Sequence, residues 1–554
     1  MARARCHEGT ELTAELQRDL IHALGGDVSL IAFPWQRKYR SVVDKRCNLA
    51  LPTPRPAAIT FPKHVRQIRE IVKTAARHGL AIQARSGGHS YGNHSLGGGG
   101  PSDTIIIDLR HFQYVHVCRS ENEGSHSARV GASTRLGHIT RELNAYGVAI
   151  PHGTCPSVGI GGHATIGGLG PTSRMWGLSL DHIIEMTVVL ADGEVVVTSA
   201  SSRPDLFFAL RGAAASFGIV VEFMFKTRPA PKSAVQFSCM ITANQYADMA
   251  EHFEEWQSLV SAPGLTRKLF SQVIITMRGM RITGTYFGSE HELHDEPFAK
   301  HFLYSSLIKT AHHSKIPQIA SAEEGGGSFF HHLLPRKGIF KCPLERRSRV
   351  KMAVTIRKLN WVCLINEWAG GRLLSKILGR SSAFHSRSCT ISTGQRIAPA
   401  AIKKLFLHLD TAKKGTPLWF LIFDLAGGAV NDIATEKTAF AHRNVGVYCQ
   451  SYAIALFGKL HSSCIQFVDG INEIVKNGIH DDVDRAQHDA VYPGYVDADL
   501  ESGQQLYWRE NLPRLQDLKA IYDPANTFRN PQSIRPAAVR SDSKVASEAS
   551  SLVV

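Results

Sequence analysis

The chain has 554 residues, 43% of them hydrophobic and 20% charged, an ordinary globular composition with length for two or more domains. No apolar run reaches the roughly 18 residues of a membrane span, and the opening MARARCHEGTELTAELQRDL has no apolar signal core, so the sequence as written points to an intracellular protein with no membrane partner. A net charge of +15 raises nucleic acid as a partner, but residues 331–360 alone hold nine Lys/Arg against one acidic residue, without zinc-finger spacing or basic–aromatic interleaving, which reads as a solvated basic loop and no nucleic-acid site.

In chain order, FPKHVRQIREIVKTAARHGL reads as a helix. Val65, Ile68, Ile71, Val72 and Ala75 recur at helical spacing, Pro62 suits a first turn, and Gly79 suits the C-terminal cap. AIQAR (81–85) and TIIIDL (104–109) read as strands on either side of a Gly-rich loop, SGGHSYGNHSLGGGG. ARVGAST and RLGHITRELNAYG give a further strand and helix. A second Gly-rich loop follows, PHGTCPSVGIGGHATIGGLG (151–170). IIEMTVVLADGEVVVTS reads as two strands turned at Asp192-Gly193. RPDLFFALRGAAASFGIVVEFMFKTRP is a short helix, a small-residue turn and a strand. RPAPKS (228–233) reads as a linker, after which amphipathic helices such as QYADMAEHFEEWQSLV alternate with strands such as MRITGTYFG and PLWFLIFDL. Between about 320 and 358 neither a helical nor a strand period stands out. GQQLYWRENLPRLQDLKAIY returns to helix, DPANTFRNPQSI is a turn, and the Ser- and Ala-rich end is a disordered tail.

Gly-rich loops at strand ends let backbone N–H groups approach an anion. Neither a Walker A motif nor a GxGxxG in a βαβ frame is present. Each loop carries one nucleophilic side chain, His89 in the first and Cys155 in the second. Three readings stay open: packed residues without chemistry, a Cys–His thiol hydrolase, or two attachment points for one cofactor. Ten cysteines without a CxxC pair argue against a structural zinc site, and no metal site is expected.

RSGGHSYGNHS together with GTCPSVGIGGHATIGGLG resembles the berberine-bridge-enzyme-like flavoproteins, and most the fungal branch of glucooligosaccharide and chitooligosaccharide oxidases. DLFFALRGAAASFGIV, TAFAHRN and NLPRLQDLKAIYDPANTFRNPQSI extend the resemblance from about residue 35 to 535. It implies an α+β fold, with a vanillyl-alcohol-oxidase-type FAD domain and a substrate domain built on an antiparallel sheet flanked by helices. The implied boundaries are 1–230 for the FAD domain (core about 52–230), 231–489 for the substrate domain, 490–535 for a C-terminal return to the FAD domain, and 536–554 for the tail.

The resemblance further implies FAD held by two covalent bonds, His89 to the 8α-methyl and Cys155 to C6. Arg85, Ser86, Gly87, Gly88 and Ser90 would cradle the pyrophosphate. Gly161, Gly162 and His163 would line the flavin, and Gly218, Val221 and Asn526 complete the cofactor set. Val158 stands where the family has a small gatekeeper for oxygen, which favours an oxidase releasing hydrogen peroxide.

For the chemistry, YPGYVD places Tyr495 as the base that takes the hydroxyl proton, with Tyr492 beside it, Asp424 as the assisting carboxylate, and Tyr91 as a further site tyrosine. Strand alternation puts Phe420, Ile422 and Asp424 on one face, and Gln450, Tyr452 and Ile454 on one face. Phe420, Gln450 and Tyr452 are the expected substrate contacts. The expected substrate is an oligosaccharide reducing end oxidised to a lactone. Ile422 and Ile454 make that face more apolar than a sugar needs, so a secondary-metabolite alcohol or an oxidative cyclisation competes. The chain is expected to act as a monomer. Family members are often secreted, which stands against the missing signal. Residues 325–358 depart from the family and read as either a lineage-specific loop or translated non-coding sequence.

Overall fold

The computed structural model describes residues 13–99, 103–119, 126–300, 350–362, 364–365, 381–455, 458–479 and 490–538. The expected tail lies almost wholly outside these, as do residues 325–349 of the departing stretch. Among the described residues no helix is long and apolar enough to cross a membrane.

The helix predicted after Pro62 runs Val65–Arg77 and buries Ile68, Ile71, Val72 and Ala75. His64 caps its start. Pro62 therefore lies before the helix and not in its first turn, where Gln67 Oε1 accepts from the Lys63 and His64 N–H groups and closes the helix start at His64. Gly79 ends it with φ +66°, a conformation cheap only for glycine. Strand Thr104–Asp108 runs parallel to Ala58–Thr60 on one side and Ala81–Arg85 on the other. Beside this four-stranded sheet stands a five-stranded antiparallel one, in which Ile219–Lys226 is flanked by Ser127–Gly131 and Ile183–Val189. One apolar core joins both sheets.

The middle of the chain builds a seven-stranded antiparallel sheet. Its order is Val350–Leu359, Ala234–Ala243, Gly279–Tyr286, Leu269–Thr276, Trp419–Leu425, Val445–Ile454 and Phe384–Ser392. Helices Ala250–Val260, Pro399–Thr411 and Ser462–Asn477 pack on one face. There Phe253, Trp256, Leu405, Phe406, Phe467 and Ile471 meet Val273, Ile275, Leu421 and Phe423. Period-two alternation leaves Phe420, Ile422 and Asp424 on the opposite face. The other face is the one that matters for function.

Three expectations change. Val350–Leu359 is a strand, paired over ten residues with Ala234–Ala243. Its burial alternates weakly because it is an edge strand, so the sequence there shows no period. Nine residues of the stretch read as a possible artefact thus belong to the sheet. Second, residues 426–445, expected in the substrate domain, pack into the first core through Val430, Phe440 and Val445. Arg443 pairs with Asp181 there at 2.7 Å, both nearly buried. Third, the C-terminal helix is two helices, Gly503–Trp508 and Leu512–Tyr522. The break falls at Arg509, with φ +46°, just before Pro513 in the first turn of the second helix. From Val491 to Ile534 the chain rejoins the first core.

Candidate active site

The two Gly-rich loops lie backbone against backbone. A Cβ on Gly87 would stand 2.4 Å from the Gly159 nitrogen, and one on Gly161 would stand 2.5 Å from the Ala132 carbonyl oxygen. Gly88 has φ +74° and lies against the Arg85 guanidinium. Ser86 Oγ donates to the Ala132 carbonyl at 2.8 Å, and Arg135 Nη1 donates to the Ser157 carbonyl at 2.9 Å. Only glycine permits this approach, so the loop composition is a packing requirement as well as an anion-binding one.

Between the loops, the first core and the open face of the large sheet lies a cavity of about 750 Å³. Gly212, Ser216, Gly218, Asn530 and Ser533 form one part of its wall. Ser86 to Tyr91, Gly153 to Gly159, Gly161 and Gly162 form another. Gln272, Ile274, Phe420, Ile422, Asp424, Gln450 and Tyr452 form a third, with Tyr495 over them. The volume falls in the range of about 300–1,000 Å³ usual for cofactor and ligand sites.

His89 and Cys155 both line this cavity. Burial, with the charges of Arg135 and Arg85 beside it, pushes His89 down to about 4 against the opposing hydrogen bond to the Ser157 backbone. The imidazole is therefore neutral at physiological pH, the form that can act as a nucleophile. Cys155 is exposed within the cavity and lies 3.4 Å from Ser157 Oγ. His163, also on the wall, is pushed by burial to about 3 and accepts from the Gly153 N–H at 2.9 Å. These features fit an FAD: a dinucleotide-sized space, backbone N–H groups unobstructed by Cβ atoms, open room beside Gly162, and two nucleophiles on one wall.

On the sheet face, register brings distant residues together. Asp424 lies opposite Gln272, and Ile422 opposite Gln450. The Asp424 carboxylate accepts from Gln450 Nε2 at 2.9 Å, from Gln272 Nε2 at 3.3 Å and from the Tyr495 hydroxyl at 3.4 Å. Burial raises it to about 6 against the pull of Gln450 and Tyr495. Burial, and next the Asp424 charge, push the Tyr495 hydroxyl well above its ordinary range. Tyr452 donates to Gln450 Oε1 and stands 3.2 Å from the Tyr91 hydroxyl. Burial raises Tyr91 to about 12.

Ser86, Gly87, Gly88, Ser90, Val158, Gly161, Gly162, His163, Gly218, Phe420, Gln450 and Tyr452 all line the cavity. Four residues stand elsewhere or differently. Arg85 lies behind the first loop, ion-paired to Asp108 at 3.0 Å, because strand register sets the two side by side. Val221 faces the core, 2% exposed, and strand alternation gives its place on the wall to Val220. Asn526 forms a turn at φ +52° and is not on the wall, which Asn530 and Gln532 reach instead. Tyr492 lines the cavity, but its hydroxyl accepts from the Gly168 and Leu169 N–H groups at 3.2 and 3.4 Å, so it positions the second loop.

Sequence reading missed Gln272, whose alternation in LFSQVIIT was visible but whose partner lies 152 residues away. It also missed Arg135 beside His89 and the buried Lys519–Asp523 pair at 2.6 Å.

Residues 56–199 match the FAD binding domain family and 491–535 the berberine and berberine-like family. The chain is 34% identical to the FAD-linked oxidoreductase sorD of Penicillium rubens, over 93% of this chain and 98% of that one. It is 30% identical to the chitooligosaccharide oxidase of Gibberella zeae, over 89% of each. A solved glucooligosaccharide oxidase from Acremonium strictum, described with a 6-S-cysteinyl, 8α-N1-histidyl FAD, superposes with TM-score 0.72 at 25% identity, covering 94% of this chain and 100% of that one.

Proposed function

The chain belongs to the berberine-bridge-enzyme-like FAD-linked oxidoreductases, and we propose that within them it is an oxidase of a CH–OH carbon with FAD joined to both His89 and Cys155. One observation carries the reading: the half-buried Tyr495–Asp424 pair faces the same cavity as His89 and Cys155. When bound, FAD supplies the hydride acceptor, and oxygen regenerates it with release of hydrogen peroxide.

The residues then divide the work. Tyr495 is protonated at rest, since burial and Asp424 both oppose its ionisation. As the substrate hydroxyl gives its proton to the Tyr495 oxygen, the Tyr495 proton passes to Asp424. The base is therefore the pair, with Asp424 as the final acceptor, competent above about pH 6. Gln272 and Gln450 hold that carboxylate in place. Tyr91 and Tyr452, joined hydroxyl to hydroxyl, offer a polar edge to the substrate. Val158, small and on the wall, leaves room for oxygen. Residues to about 230 and from about 490 form the cofactor domain, and those between form most of the substrate domain, acting as a monomer.

An oligosaccharide reducing end is the substrate supported by relatives named for chitooligosaccharides, xylooligosaccharides and glucooligosaccharides. A second reading, an apolar-bodied alcohol, is favoured by the wall. Gln272, Gln450 and Tyr452 spend hydrogen bonds on Asp424 and on each other, and Phe384, Ile422 and Ile454 fill the space between. Those bonds are withdrawn from any sugar hydroxyl.

The test is direct. Denatured protein should keep a yellow, fluorescent band on a gel. His89→Ala and Cys155→Ala should each keep one link, and the double variant should release flavin. A panel of oligosaccharides and aryl alcohols read out as peroxide separates the two substrates. Colourless protein would end the proposal.

A further inference from the structure

The two nucleophiles of the cavity meet at one residue. Ser157 Oγ stands 3.4 Å from Cys155 Sγ. The Ser157 backbone hydrogen-bonds the His89 ring, and its carbonyl accepts from Arg135 Nη1 at 2.9 Å. A carbonyl oxygen has two lone pairs, so it can serve both donors. Arg135, which is not on the cavity wall, thus reaches both nucleophiles through Ser157.

Arg135 comes from neither Gly-rich loop. It precedes helix Leu136–Asn144, and its backbone runs antiparallel to the second loop. Arg135 pairs there with Gly159, the Leu136 N–H donates to the Val158 carbonyl at 2.9 Å, and the Ile160 N–H donates to the Thr134 carbonyl at 2.9 Å. That pairing fixes the root of the side chain. Its guanidinium lies against the first loop as well, since a Cβ on Gly87 would stand 2.8 Å from Nη1. The group is therefore wedged between Gly87, two residues before His89, and Ser157, two residues after Cys155.

The charge has a second effect. Among the described residues Arg135 has no ion pair, and Asp108, the carboxylate that acts on it, is paired to Arg85 and Arg110. A positive charge beside a buried imidazole opposes its protonation. After burial, Arg135 is the largest influence holding His89 down, with Arg85 behind it. The neutral ring gives its one N–H to Ser157, so its other nitrogen keeps the lone pair.

We propose that Arg135 is a positioning residue for flavin attachment: through the Ser157 carbonyl it orients the His89 ring, and by bracing Gly87 against Ser157 it sets His89 and Cys155 at the spacing one flavin ring requires. The inference rests on the two-link reading above. In the first link the lone-pair nitrogen of His89 bonds the 8α carbon. One hydrogen leaves that carbon with two electrons, which pass to the ring, and the imidazole releases its proton. Molecular oxygen then takes the two electrons and two protons as hydrogen peroxide. Cys155 joins C6 with the same balance, losing the thiol proton and the C6 hydrogen.

The full chain would be made in a riboflavin auxotroph and given FAD in air at pH 5.5 and pH 7.5, with samples stopped in acid at intervals. Flavin fluorescence of the denatured protein measures total attachment, and peptide masses assign it to His89 or Cys155. Arg135→Met should slow histidyl attachment about 10- to 100-fold at pH 7.5. The loss should be steeper at pH 5.5, because His89 gains proton affinity once the charge is gone. Arg135→Lys keeps the charge without the planar fork. It should restore the parent's ratio between the two pH values while staying slow at both. Ser157→Ala keeps the carbonyl and should slow the cysteinyl link alone; it tests the network should Arg135→Met fail to fold, as judged by melting temperature. Parent-like attachment at both residues in Arg135→Met would overturn the proposal. So would an equal, pH-independent loss of both links, the mark of general loosening, or a histidyl link lost along with the cysteinyl one in Ser157→Ala. A parent that keeps no flavin on denaturation would instead fault the two-link reading, and the inference would fall with it.

Discussion

Asp424 is held at about 6 by burial, and that shift is a statement about stability as well as about catalysis. The rise from 3.8 to about 6 corresponds to a cost of about 3 kcal/mol for keeping the carboxylate charged in the folded protein at pH 8. Asn at this position removes the charge and keeps one acceptor for Gln450. It loses a charge-assisted hydrogen bond worth about 1 kcal/mol. Asp424→Asn should therefore be more stable than the parent by about 2 kcal/mol at pH 8, or roughly 2 °C in melting temperature for a chain of this size. The sign follows from the direction of the shift. The folded state binds more protons than the unfolded one between about pH 4 and 6, so the parent loses stability as pH rises through that window. By pH 5 the penalty is about half its full value, and the advantage of the variant should shrink below 1 kcal/mol. The same variant should lose about 10²- to 10⁴-fold in kcat, since the final proton acceptor is gone. Melting curves of parent and variant at pH 5 and pH 8 decide it. Equal differences at both pH values, or a variant less stable at pH 8 than at pH 5 relative to the parent, would refute the reasoning.

The parent enzyme should show kcat/KM rising with pH and levelling above about 6, the pH at which Asp424 ionises; a profile flat from pH 4.5 to 8 would place the base elsewhere. Tyr495→Phe should lower kcat by about 10²- to 10⁴-fold with flavin content unchanged. Tyr492→Phe should act in the opposite sense, keeping kcat within a few-fold while lowering the melting temperature, because its hydroxyl serves the Gly168 and Leu169 N–H groups; the two variants measured side by side test the division of roles. Gly87→Ala should impair flavin loading, since the new Cβ meets the Gly159 nitrogen at 2.4 Å, and the absorbance ratio of flavin to protein reads this directly. Lys519→Met should cost about 3–5 kcal/mol by stranding the buried Asp523 charge, seen as a large drop in melting temperature. Lys519→Met with Asp523→Leu should recover part of it.

What the sequence made legible were the features encoded within a few residues. His89 between glycines and Cys155 between glycines are local signatures, and the backbone-to-backbone contact of Gly87 with Gly159 shows why those residue types occur there. The faces of FLIFD and QSYAI followed from a period of two, and the cavity wall contains Phe420, Ile422, Asp424, Gln450, Tyr452 and Ile454. The features that stayed hidden depend on register between segments far apart in the chain. Gln272 reaches Asp424 across 152 positions, and no local pattern states that pairing. Arg357 lay in a run that read as a solvated basic loop, because an edge strand with one weakly covered face shows little alternation. Placed opposite Gln236, the same arginine becomes part of the large sheet, and a charge excess that argued for nothing specific acquires a position. Arg85 shows the reverse case. It stands at the start of the first Gly-rich loop, yet its side chain pairs with Asp108, its register partner, and is not on the cavity wall. Adjacency in sequence to a site is therefore weaker evidence than alternation and pairing in the sheet.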